Sequence, residues 1–207
     1  MHEVVIVVVI VKNVLYRTLK MLVRIMWCKE REKNINKMLS TLPENTEVIW
    51  DRNHNACDTL CRVLDTDDSI LVMEDDIELC KWFYERALKE IEKRPDSFIM
   101  FYSCKSWELE EKWPDYDRNY VYTQAYYVPA WLGKKAWEFL PKNYHATHCR
   151  WSIWLNQFLR NEKVPRYLVK PSLVQHIWDE SILEPQYNWK RPIHRSTLYK
   201  YDPDAED

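Results

Sequence analysis

The sequence predicts an α/β protein, a single domain in which a mainly parallel central sheet is flanked by helices. Three observations predict it. Short apolar runs of strand type alternate with segments of helical period over residues 21–102. Acidic residues stand just beyond two of those runs, at the strand ends where open α/β sheets bind ligands. The chain has 207 residues, 46% hydrophobic and 30% charged, which suits one packed core.

The elements follow in order. Leu22 to Trp27 is a strand-type run. Glu32 to Leu42 carries Ile35, Met38, Leu39 and Leu42 at helical spacing, and Pro43 ends it. Glu47 to Trp50 is a second strand, closing on Asp51, and Asp58 to Leu64 is a short helix. Ser69 to Met73 is a third strand, Trp82 to Glu92 a helix with Pro95 beyond it, and Ser97 to Tyr102 a fourth strand. Ser106 to Asn119 is polar, acidic and loop-like, and Tyr120 to Val128 alternates as a strand does. Helices are expected over Ala130 to Leu140, closed by Pro141, and over Arg150 to Arg160. Tyr167 to Lys170 is a last short strand. Residues 1–20 form an N-terminal strand or appendage, and 184–207 a basic, aromatic tail packed on the body.

Composition excludes several classes. The net charge of -2 gives no global attraction to nucleic acid or anionic membrane. Val4 to Val11 is eight apolar residues, too short to span a bilayer and without the flanks of a signal peptide. Six cysteines include no CxxC pair, and the histidines complete no zinc pattern. The expectation is a reduced, cytoplasmic protein with small buried thiols. One glycine, Gly133, rules out a glycine-rich phosphate loop, so a bound nucleotide would need another way to hold its diphosphate. Eleven tryptophans serve packing first, but sugars and bases also stack on such faces.

Two segments carry chemistry. Ile70-Leu71-Val72-Met73-Glu74-Asp75-Asp76-Ile77 sets three acids after a buried strand. Carboxylates so close repel one another unless a cation or basic groups neutralise them, and hard oxygen ligands suit Mg²⁺ or Mn²⁺. The plainer reading is a solvated acidic turn, with Asp76 capping the next helix. Lys170-Pro171-Ser172-Leu173-Val174-Gln175-His176-Ile177 delivers a histidine to the end of a proline-started apolar run. Alone, such a histidine is more often a packing residue than a ligand.

Taken together and in order, these segments resemble GT-A glycosyltransferases. Leu-Val-Met-Glu-Asp-Asp-Ile is similar to their acidic "DXD"-type motif. Pro-Ser-Leu-Val-Gln-His resembles the C-terminal stretch of small bacterial and phage members. Gln124 to Pro129 and the helix after it resemble their acceptor-side segment. The resemblance covers residues 21–183, with a donor half over about 21–105 and an acceptor half over about 106–183. It implies a GT-A-like, Rossmann-like fold and transfer of a sugar from a nucleoside diphosphate sugar, most simply a UDP-sugar, to an acceptor hydroxyl. It implies Asp76 and His176 as ligands of Mn²⁺ or Mg²⁺. Glu74, Asp75 and Asp51 would hold the donor, and Lys29 or Arg31 would lie near its base or diphosphate.

One departure bears on mechanism. The stretch His145 to Ser152, where inverting members carry an acidic base, has no Asp or Glu. His148 or Asp179 would then deprotonate the acceptor, or the enzyme would be a retaining one. The resemblance to phage members implies a 5-hydroxymethylpyrimidine in phage DNA as acceptor, in a bacterial or infected host cytoplasm. Trp189 to Arg195 and Tyr199 to Tyr201 would meet phosphates and bases. A cell-surface glycan or lipopolysaccharide is the competing acceptor. An inactive nucleotide- or sugar-binding module of the same fold is the reading from another class.

Overall fold

The computed structural model describes residues 21–52, 55–103, 122–143, 151–177, 196 and 199–202. Expectations for residues 1–20, for the loop 106–119, and for most of the tail 184–207 lie outside them. The strands are β1 (Met21–Trp27), β2 (Glu47–Trp50), β3 (Ser69–Glu74), β4 (Ile77–Leu79), β5 (Phe98–Met100), β6 (Ala125–Val128), β7 (Arg166–Leu168) and β8 (Val174–His176). The α-helices are α1 (Glu32–Leu39), α2 (Ala56–Leu64), α3 (Phe83–Lys93), α4 (Ala130–Asn143) and α5 (Trp151–Asn161), and a 3-10 turn, Lys29–Arg31, precedes α1.

Six strands form one sheet in the order β2-β1-β3-β6-β5-β7, and β4 pairs with β8 in a small second sheet. β1 is parallel to both β2 and β3, β5 is parallel to β7, and β6 alone runs against its neighbours. The expected α/β architecture with a mainly parallel sheet is the one observed. Strand periodicity divides the core into two layers. Leu71 and Met73 of β3 face α1 and α3, packing with Ile35, Met38, Phe83, Ala87 and Ile91. Ile70 and Val72 face the opposite way, among Leu60 and Val63 of α2, Leu132 of α4 and Leu159 of α5. β3 is buried over five of its six residues, which is why its sequence reads as an unbroken apolar run.

Some boundaries differ from expectation for local reasons. α1 ends at Leu39 rather than Leu42, because Ser40 Oγ and Thr41 Oγ1 donate to the carbonyls of Lys37 and Met38 at 2.7 and 2.9 Å. α4 runs past Pro141 to Asn143. A proline so near the helix end removes only a terminal ladder bond. β6 starts at Ala125, later than the alternating pattern suggested. β4 was not expected at all. Cys57 is disulfide-bonded, which corrects the expectation of reduced thiols throughout. Cys28, Cys61 and Cys80 are thiols outside any disulfide. No helix among the described residues is long and apolar enough to cross a membrane.

Candidate functional site

β1 is flanked by β2 on one side and β3 on the other. The chain leaves β1 to build β2, then returns across it to build β3. The crevice at the carboxyl ends of β1 and β3 is therefore a topological switch point, where open α/β sheets accept ligands. Trp27 and Cys28 stand at one side of it and Glu74-Asp75-Asp76 at the other.

The acid turn is bound on every side. Asp75 Oδ2 accepts from the Cys28 backbone N–H at 2.7 Å and from the Cys28 thiol at 3.1 Å, which ties the end of β3 to the end of β1. One guanidinium nitrogen of Arg31 meets Asp75 Oδ1 at 2.7 Å and Asp76 Oδ2 at 2.9 Å. Asn34, buried on α1, donates from its amide to the carbonyls of Asp75 and Ile77 at 2.6 and 2.9 Å. Thr123 Oγ1 donates to Glu74 Oε1 at 2.9 Å.

His176 arrives by pairing. The β4–β8 ladder sets Ile77 opposite His176, and the Ile177 N–H donates to the Asp76 carbonyl at 3.0 Å. His176 Nε2 then lies 3.0 Å from Asp76 Oδ2. Residues a hundred positions apart are thus brought together. The alternative in which Asp76 caps a helix does not hold, since β4 follows the turn and Trp82 is the N-cap residue of α3.

Electrostatics separate the three acids. Burial, then the charge of Asp76, push Glu74 up to about 8. Burial also raises Asp75, against the opposing pull of Arg31 and the Cys28 N–H. Burial would raise Asp76 too, but the His176 hydrogen bond and the Arg31 charge outweigh it and hold that carboxyl below its ordinary range. Burial pulls His176 down, but its hydrogen bond to Asp76 and the charges of Asp76 and Glu74 leave it raised.

The donor set suits a hard divalent cation in part. Asp76 Oδ1 is buried and, among the described residues, has no hydrogen-bond partner. The 3.0 Å contact between Asp76 Oδ2 and His176 Nε2 is a hydrogen bond, which a cation held by both side chains would have to replace. Among the described residues no group of three or more His, Cys, Asp or Glu is arranged to hold a metal. Two protein ligands with the rest from phosphate and water is the Mg²⁺-type pattern, in contrast to a closed protein cage.

Of the remaining candidates, Asp51 lies at the end of β2, where its N–H donates to the Trp27 carbonyl at 2.6 Å and its Oδ1 accepts from the Asn55 N–H at 2.9 Å. Lys29 is exposed at the start of the 3-10 turn. His148 and Asp179 lie outside the described residues. Sequence reasoning did not single out Asn34 or Thr123. A polar residue beside Ile35 on the buried face of α1 is the signal that would have found Asn34. It also passed over an aromatic group beside the crevice. Trp27 and Trp50 lie 6.0 Å apart between ring centroids, and the Arg52 guanidinium sits 5.2 Å from the Trp50 centroid.

No protein-family model matches the sequence, and no curated protein sequence matches it. Among solved structures, the chain is similar to the crystal structure of a glycosyltransferase involved in the glycosylation of the major capsid of PBCV-1. The identity is 11%, the TM-score is 0.39, and the match covers 72% of this chain and 83% of that one.

Proposed function

We propose that this chain is a metal-assisted glycosyltransferase that moves a sugar from a nucleoside diphosphate sugar to an acceptor hydroxyl. The observation that carries the reading is the acid turn at the switch-point crevice, with His176 held against Asp76 and one buried Asp76 oxygen without a partner. In this reading Asp76 and His176 hold Mn²⁺ or Mg²⁺. The cation, when bound, supplies Lewis-acid stabilisation to the diphosphate leaving group.

The chain's own residues do the rest. Arg31 draws Asp75 and Asp76 together through one nitrogen, so the acids are set before a donor arrives. Asp75 locks the crevice walls to each other through Cys28. Asn34 fixes the backbone of the turn, which keeps the Asp76 carboxyl aimed. Glu74, set by Thr123, meets ribose or sugar hydroxyls in this reading. Asp51 accepts from the nucleoside. The exposed face of Trp50, with Arg52 beside it, offers a stacking surface for the base. His148 or Asp179 is the proposed acceptor base, with a retaining reaction that needs no such base as the alternative.

The donor is proposed as a UDP-sugar. The experiment is Mn²⁺-dependent hydrolysis or transfer from UDP-glucose by the purified chain, with Asp76→Ala as the control. Activity that needs Mn²⁺ and disappears in the variant supports the reading, whereas its absence across a panel of nucleoside diphosphate sugars overturns it. The acceptor is proposed as a hydroxymethylpyrimidine in DNA or as a glycan. The first rests on the basic and aromatic sequence of 189–201. A hexose mass gain on hydroxymethylated DNA, or on a glycan instead, separates the two.

A further inference from the structure

A groove of about 450 Å³ lies behind the acid turn, between α1, β4 and the start of α3. It shares Asn34 and Ile77 with the turn but is not lined by Asp76, and that volume falls within the roughly 300–1,000 Å³ of small-molecule sites. Two aromatic rings stand in it largely uncovered, Trp82 at 61% exposed and Tyr201 at 58%.

They are held there by backbone. The Lys81 N–H donates to the Tyr201 carbonyl at 2.7 Å, and Lys81 Nζ meets Asp202 at 2.7 Å, so the rings come from positions flanking one shared tether. Trp82 itself has φ 59 and ψ 34, the left-handed region, where a bulky residue is strained. Its neighbours over-determine that conformation. Phe83 N–H donates to the Cys80 carbonyl, Arg86 N–H to the Trp82 carbonyl, and Arg86 Nε to the Lys81 carbonyl, all at 3.0–3.1 Å. The strain sets an indole in solvent, so packing of the ring does little to offset it.

The remaining lining is mixed, with apolar Met38, Leu42 and Leu79 beside Ser40, Thr41 and charges of both signs. Lys37 pairs with Glu78 at 3.0 Å and Lys81 with Asp202 at 2.7 Å, and Glu85 adds one acid beyond these pairs, which disfavours an anionic ligand. The Ser40 and Thr41 hydroxyls donate to helix carbonyls and keep lone pairs free to accept. Aromatic and apolar faces beside hydroxyls and paired charges match a ligand with apolar C–H faces and a ring of hydroxyls.

We infer that this groove binds a neutral carbohydrate, one or two pyranose units of a glycan, stacked on Trp82 and Tyr201. The inference rests on the groove's own chemistry and stands apart from the transfer reaction proposed above. If both hold, the groove favours a glycan over DNA as the acceptor.

The test screens the full chain on a printed array of neutral and acidic glycans, then titrates the best neutral oligosaccharide by calorimetry. Trp82→Ala and Tyr201→Ala are each expected to weaken binding at least about tenfold. Trp131→Ala, which removes an exposed tryptophan on α4, is expected to leave it unchanged. Trp82→Gly guards against misfolding, because glycine takes φ 59 freely. It should fold with an unchanged or higher Tm and still fail to bind. The inference is overturned if no neutral glycan binds at millimolar concentration, if only acidic glycans or DNA bind, or if the Trp82 variants bind as the wild type does. UDP-sugar binding, measured separately in Asp76→Ala, reports on the proposed reaction, so failure of one reading is distinguishable from failure of the other.

Discussion

Asp75 and Asp76 are neighbours with different tasks. Asp75 spends both oxygens on Cys28 and Arg31, whereas Asp76 keeps one oxygen without a partner. Asn34 supports both by holding two carbonyls of the turn. Asn34→Ala leaves those carbonyls short of a donor and is expected to cost about 1–3 kcal/mol in urea unfolding. It should also weaken Mn²⁺ binding by about 10–100-fold, as loss of a ligand's supporting partner does elsewhere. Glu74 makes a pH prediction. Its folded pKa of about 8 lies above that of an ordinary glutamate. Between those values the folded chain holds a proton that the unfolded chain has released, so stability falls as pH rises through that window. The raised His176 acts in the same sense, since its contribution is lost as pH rises through its folded value. In metal-free protein, melts from pH 5 to pH 9 should show declining stability, and Glu74→Gln should flatten the decline. Cys28 is buried, and its thiol is pushed well up by burial and by Asp75. It should resist iodoacetamide at pH 8 in native protein and react once unfolded.

At the scale of elements, the short β4–β8 pair decides whether a site exists. It has three residues on each strand, yet it alone carries His176 to Asp76. Ile77 is fully buried beneath it. Ile77→Ala is expected to cost about 2–5 kcal/mol and to loosen the His176–Asp76 contact, so metal affinity should fall beyond what a distant cavity of equal cost produces. Leu60→Ala on α2 is the comparison, with a similar loss of stability and unchanged metal affinity. This pair also marks the limit of what sequence conveys. β1, β2 and β3 were legible as apolar runs bounded by polar residues, and α1, α3 and α4 as segments of helical period. Ile77-Glu78-Leu79 is too short to have a period, and its partner lies about a hundred residues away. His176 could be singled out only as a residue at the end of an apolar run. Asn34 was hidden for a related reason, since a polar residue inside a helical stripe reads as surface until its partners are in place.

Over the whole molecule, the sheet places its chemistry at the carboxyl ends of the inner strands β1 and β3. Two core layers hold β3 rigid from both faces, and its last residue opens directly into the crevice between β1 and β3. The absence of a glycine-rich loop was readable from composition, and the structure agrees, with Gly133 inside α4 on the buried side. What composition could not convey was the internal neutralisation of the acids. Arg31 read as a donor-facing cation, and it lies buried between two carboxylates. In the proposed reading, the carboxyl ends of β1 and β3 bind a nucleoside diphosphate sugar through a divalent cation on Asp76 and His176. The most direct measurement is a calorimetric titration of UDP-glucose with and without Mn²⁺, on the wild type, Asp76→Ala and His176→Ala. Binding should require Mn²⁺, be lost in Asp76→Ala and be weakened at least about tenfold in His176→Ala. Binding that ignores Mn²⁺, or that survives unchanged in Asp76→Ala, would contradict that reading.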